Sequence, residues 1–119
     1  DMGACSILPR IIGAGRAAEL IYRGRSMGAE EALSVGFFNG LYEADKLLSE
    51  ATAIATELAH GPTLAHSITK RMFHKTWDMG VDEAIESEGQ AMALAMFSKD
   101  YRRAYDAFVN KQKPKFEGN

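Results

Sequence analysis

LPRIIGAGRAAEL, residues 8–20, is the stretch that decides the fold of this 119-residue chain. Its glycines, Gly13 and Gly15, stand where a dinucleotide-binding turn would place them, between an apolar run and a helix-forming one. Such a turn needs a strand before the glycines, a helix after them, and an acidic residue closing the next strand about 20 residues on. Only the helix is convincing. Pro9 would break the ladder of a central strand. The following SMGAEEAL is another helix start, with Ser26 or Gly28 available as cap and Glu30 and Glu31 favourably placed in the first turn. The glycines are therefore expected to make a tight corner between two helices, where freedom at φ > 0 and close packing are what glycine offers.

Outward from this corner the chain is predicted to be predominantly α. Ala4 to Ile12 reads as one short helix, Arg16 to Tyr22 as a second ending near Gly24, and a third begins at Ala29 and stops at Gly36. FFNGLYE, residues 37–43, is the one segment expected to be extended, apolar and aromatic with two turn-formers inside. From Asp45, a good N-cap residue, Leu47, Leu48, Ala51, Ile54, Ala55 and Leu58 follow helical spacing. Gly61-Pro62 closes that helix and opens one running to Trp77. Val81, Ala84, Ile85, Met92, Ala95 and Met96 mark another, and Tyr101, Ala104, Tyr105 and Phe108 a last one from Asp100 to about Lys111.

Composition is ordinary for a soluble protein, with 46% hydrophobic and 25% charged residues. No apolar run approaches the ~20 residues needed to cross a bilayer, and DMGACSILPR lacks the basic and apolar regions of a signal peptide. The expected location is cytoplasmic, or a mitochondrial or peroxisomal matrix in a eukaryote, with no membrane partner. The start at Asp1-Met2-Gly3 is compatible with a piece of a longer polypeptide. Net charge is −2, yet the segment from Lys99 to Lys115 holds six basic and two acidic residues, so an anionic partner would meet that end first. The basic patch is too small, and the rest too acidic, for nucleic acid.

Few residues suggest chemistry. Cys5 is alone, which excludes an internal disulfide and a thiolate metal site, and is expected to be a small buried apolar residue. His60, His66 and His74 lack metal-ligand spacing, so no metal is expected. Glu88 falls inside an apolar stripe, where a carboxylate calls for an ion pair with an Arg or Lys of a neighbouring helix. The run NKQKPKF admits two readings: a solvated tail, or a site in which Phe108, Lys111, Lys113 and Lys115 offer an aromatic and cations to an adenine and a phosphate.

Taken together, DMGACSILPRIIGAGRAAELIYRGRSMGAEEALSVGFFN (1–39), ELAHGPTLAHSITK (57–70) and AFVNKQKPKFEGN (107–119) resemble the C-terminal half of the crotonase, or enoyl-CoA hydratase/isomerase, superfamily. The resemblance implies a helical C-terminal part of an α/β fold of ββα turns. Residues 1–43 would be the end of its core and residues 44–119 a helical region for oligomerisation, as a trimer or a dimer of trimers. It implies an acyl-CoA substrate with coenzyme A as its only nucleotide part and no separate cofactor. It also implies an upstream segment carrying the oxyanion loop and the hydratases' glutamates. Asp1 matches a position that is catalytic in some branches, although an Asp before an apolar run is equally a helix N-cap. Phe108, Lys111 and Lys113 match the family's adenosine-phosphate contact. The function so implied is enolate-stabilising proton transfer on a CoA thioester, by hydration or double-bond isomerisation. The alternative is a non-catalytic helical oligomerisation module.

Overall fold

The computed structural model describes residues 2–119, and Asp1 lies outside the described residues. Among the described residues seven α-helices follow one another: α1 (Ala4–Ile12), α2 (Ala14–Arg23), α3 (Ala29–Ser34), α4 (Leu47–Ala59), α5 (Thr63–Lys75), α6 (Val81–Met96) and α7 (Lys99–Val109). A 3-10 turn, Thr76–Asp78, extends α5 past Trp77. The chain forms two compact units, one ending at Glu50 and one running from Ala51 to Asn119.

The first unit is built on Gly13. This one residue ends α1 and begins α2: its N–H donates to the Pro9 carbonyl at 3.0 Å and its own carbonyl accepts from Ala17 at 3.1 Å. Its φ of 85° and ψ of 150° lie in a region that is essentially glycine's alone. Gly15, by contrast, is an ordinary member of the first turn of α2. The corner brings Ile12, Ala17 and Leu20 together as the buried cluster, with Leu8, Met27 and Val35 packed at its edge. Pro9 sits inside α1 and removes one ladder donor, opposite the carbonyl of Cys5. Gly3, not a carboxylate, occupies the N-cap of α1, and Cys5 is exposed rather than buried.

An ionic clasp closes the same unit. Arg25 donates to both oxygens of Glu31, at 2.9 and 2.6 Å, and approaches Glu19 at 3.4 Å, while Glu19 also takes Arg23 at 2.7 Å. The Arg25 hydrogen bonds hold the carboxyl groups of Glu31 and Glu19 below the ordinary glutamate value, and raise that of Arg25 further.

The expected strand at FFNGLYE is not formed; among the described residues there is no strand. The N–H groups of Phe37 and Phe38 both turn back to the Ala32 carbonyl, at 2.8 and 3.2 Å, and so are spent on closing α3. Gly36 adopts a φ of 78°, and the ring of Tyr42 lies over Gly40, which bends the segment where a strand would run straight. Asp45 lies within a turn; the carbonyl that opens the α4 ladder is that of Glu43, which accepts from Lys46 and Leu47.

In the second unit, α5 and α6 lie against each other, and Ile68, Met72, Ala84, Ala91 and Ala95 on them are half-buried. The larger apolar side chains of the predicted stripes stay outside: Leu48 on α4, Val81, Ile85 and Met92 on α6, and Tyr105 and Phe108 on α7 are all exposed.

Two outcomes test these local structures. Replacing Gly13 by Ala should destabilise the fold by about 1–3 kcal/mol, whereas Gly15→Ala should stabilise it by roughly 0.5–1 kcal/mol, both read from denaturant midpoints. For the clasp, the two carboxyl groups titrate lower in the folded state than in the unfolded one. Their contribution is thus present above the unfolded value of about 4.3 and is lost as pH falls through the depressed folded values. Arg25→Gln should flatten the fall of the melting temperature below that pH; an unchanged acid limb would show that the clasp contributes nothing.

Candidate functional site

The basic end predicted from sequence is organised by α7 and the chain that follows it. Ser98 caps α7 by accepting the Tyr101 N–H at 3.0 Å. At the other end the helix closes with the paired bonds of a Schellman turn: Gln112 N–H to the Ala107 carbonyl at 2.8 Å, and Lys111 N–H to the Phe108 carbonyl at 3.1 Å. The residue that must adopt the left-handed conformation there is usually glycine. Here it is Lys111, at φ 54°, the one positive-φ residue besides glycine among the described residues.

This turn reverses the chain. Residues 112–116 run back along α7, and their end is captured at the helix N-terminus by Asp100. That side chain is 2% exposed, the only buried charged group among the described residues. Its carboxylate accepts from Arg103 at 2.7 Å, from the Glu117 N–H at 2.9 Å and from the Gly118 N–H at 2.7 Å. In return the Asp100 N–H donates to the Asn119 carbonyl at 2.9 Å. Arg103 completes the closure by donating to the Asn119 side-chain oxygen at 2.6 Å and to the Glu117 carboxylate. Burial works against ionisation of Asp100. The Glu117 amide, the Arg103 guanidinium and the Gly118 amide together outweigh it and hold the carboxyl below the ordinary aspartate value. Gly118 has a φ of 77°, and a Cβ on it would come within 2.6 Å of the Thr63 hydroxyl at the start of α5.

The predicted residues are distributed accordingly. Phe108, 82% exposed, and Lys111 stand on one turn, and exposed Lys113 follows on the returning segment. The tail is thus folded back rather than free in solvent. Asp1, the candidate catalytic residue, lies outside the described residues. The residues that hold the tail, Asp100, Arg103, Glu117 and Gly118, were not singled out from sequence; Asp100 read only as the start of a helix, and its partners lie 17 and 18 positions away.

Elsewhere, Glu88 does not make the ion pair expected of it. It is exposed and lines an open groove of about 540 Å³ between α5 and α6, beside Ile68, Met72, Phe73 and Met92. His60, just past α4, places Nδ1 2.8 Å from the Thr56 carbonyl on the last turn of that helix. Among the described residues no three His, Cys, Asp or Glu side chains gather as a metal ion requires, and no helix is long and apolar enough to cross a membrane.

Comparison with known proteins bears on what this arrangement serves. The family model described as enoyl-CoA hydratase/isomerase matches residues 1–119. The short-chain-enoyl-CoA hydratase of Clostridium acetobutylicum is 28% identical over 111 residues, covering 93% of this chain and 42% of that protein. The 1,2-epoxyphenylacetyl-CoA isomerase of Escherichia coli is 30% identical over 118 residues, 99% of this chain and 45% of its own length. Among solved structures, the enoyl-CoA hydratase from Bacillus anthracis superposes with a TM-score of 0.90 at 31% identity, over 98% of this chain and 45% of that one. The chain therefore spans less than half the length of these relatives. With a family match along its whole length and a fold that superposes on a solved member, the chain belongs to the enoyl-CoA hydratase/isomerase family.

Proposed function

We propose that this chain is the C-terminal, acyl-CoA-binding part of an enzyme that stabilises the enolate of a CoA thioester and moves protons on it, by hydration or double-bond isomerisation. The observation that carries the reading is the turn at the end of α7, where an exposed aromatic ring and, three residues on, a lysine in left-handed conformation are joined by a backbone hydrogen bond and a second lysine follows. A non-glycine residue held at φ > 0 costs energy and is found preferentially where its side chain is needed. Relatives of both hydratase and isomerase name support the reaction class.

In this reading Phe108 stacks on the adenine, and Lys111 and Lys113 meet the phosphates as point charges. Coenzyme A enters as part of the substrate and no separate cofactor takes part. Asp1 is the proton-transferring carboxylate of this chain, working with an oxyanion site and a second carboxylate from an upstream segment. Residues 1–43 end the catalytic core and residues 44–119 form the oligomerisation region of a homotrimer or a dimer of trimers, in a cytoplasmic or matrix compartment. The exposed apolar side chains of α4 and α6 support that role. They equally favour a second reading, a non-catalytic oligomerisation module with no affinity for CoA.

Assembly of the chain with its upstream segment should restore turnover of crotonyl-CoA or a dienoyl-CoA, and Asp1→Asn should lower kcat by at least about a hundredfold. No turnover of any CoA thioester by the assembly would sink the enzymatic reading. Lys111→Ala with Lys113→Ala should weaken CoA binding by about 1–2 kcal/mol, roughly five- to thirtyfold, with the loss shrinking as salt is raised. Lys111→Gly separates charge from backbone: it should raise stability by about 1 kcal/mol and still weaken CoA binding in calorimetry.

A further inference from the structure

Asp100 stands far from the turn that carries Phe108 and Lys111, at the opposite end of α7, yet the path of the chain joins the two. An 11-residue helix is about 16 Å long, and the six residue steps from Lys111 to Glu117 reach at most about 20–22 Å when extended. The returning segment therefore has little slack. Lys113 precedes Pro114, which biases it further towards an extended backbone. Such a segment has a defined course only while both ends are fixed. One end is fixed by the Schellman turn at Lys111. The other is fixed by Asp100 through the Glu117 and Gly118 amides, and by Arg103 through Asn119 and Glu117.

We propose that Asp100 and Gly118 form a latch that positions residues 111–116 as a strap, so that Lys111 and Lys113 are held in place for the phosphates of the substrate's nucleotide end. Asp100 is on this account a positioning residue: it touches no substrate and acts through the tail it captures. Gly118 serves because a side chain there would be strained by the left-handed conformation and would displace the Thr63 hydroxyl where the tail meets the start of α5. The inference rests on the reading of Lys111 and Lys113 as phosphate contacts. It adds that their effectiveness depends on a buried carboxylate at the other end of their helix. With the latch open the lysines keep their charge but spread over many positions, and binding the phosphates must then order the strap as well.

The test uses the chain assembled with its upstream segment, adenosine 3′,5′-bisphosphate as probe, and Asp100→Ala and Gly118→Ala as separate variants. Each should speed amide exchange at Glu117 and Gly118 at least tenfold, weaken the probe about tenfold, and raise KM for acyl-CoA with kcat little changed. Placed on Lys111→Ala/Lys113→Ala, either variant should cost nothing further, a coupling that a merely structural role would not produce. If Asp100→Ala fails to fold, Gly118→Ala, outside every helix, carries the test. Faster exchange with undiminished probe affinity overturns the positioning role, as does unchanged exchange. If the lysine double variant itself binds the probe normally, the phosphate reading falls and takes the latch's purpose with it. Lysines that matter beside a latch that does not overturn the latch alone.

Discussion

A carboxylate withdrawn from water has to recover its hydration from the protein, and Asp100 recovers it from three donors that lie on two different stretches of chain. That requirement orders the end of the molecule. Two of the donors are amides of the tail, so the charge is compensated only when the tail is in place. Arg103 is held in turn by Asp100, Asn119 and Glu117, and its guanidinium geometry ties the tail's side chains to the same point. Removing a tail amide or Arg103 leaves the buried Asp100 carboxylate with fewer donors, while Arg103 and Glu117 stay partly in water. The chain after Val109 is tied at this cluster and at the turn at Lys111.

The rest of the second unit is held differently. Along α4, α5 and α6 no side chain is fully buried, and what is half-buried on α6 includes the small Ala84, Ala91 and Ala95, with Ile68 and Met72 half-buried on α5. The large apolar residues point away. An amphipathic helix gains most of its stability from covering its apolar face, and these faces are uncovered in a chain that spans less than half the length of its relatives. The first unit is better closed, because Gly13 folds α1 onto α2 within one residue and Ala17 is small enough to be fully buried at their contact. Its clasp at Arg25 is half-exposed and adds registry more than energy.

These differences mark the limits of what the sequence discloses. Helix existence was legible throughout, since glycine, proline and 3.6-residue spacing are local signals; the corner at Gly13 and the ends at Gly24 and Gly36 fall where glycine's freedom places them. FFNGLYE misled because aromatic and apolar composition is shared by strands and by loops whose amides are claimed elsewhere, here by the Ala32 carbonyl. Cys5 and Glu88 misled for a related reason: periodicity reveals which face of a helix is apolar, but not whether anything lies against it. Of the site, the aromatic and the lysines were legible as composition. The Schellman turn was not, because Lys111 stands where glycine would have announced it, and Asp100 was hidden among acidic residues that favour a helix start for reasons of dipole alone.

The two candidate nucleotide contacts, the glycine corner and the basic tail, differ in electrostatics as well as in place. A phosphate at a helix N-terminus is met by unpaired amides and a favourable dipole, and needs no cation. The end of α7 offers the opposite: its carbonyls carry the negative pole, and the two nearest amides are spent within the Schellman turn. An anion binding there depends wholly on side-chain charge, and lysine supplies it as a mobile point without the forked geometry of arginine. Affinity from such groups is sensitive to how far each can wander. On the proposed reading, a strap held between a left-handed lysine and a buried carboxylate would restrict that wandering by backbone geometry, and a charged residue far from any ligand would then govern how well the lysines bind one.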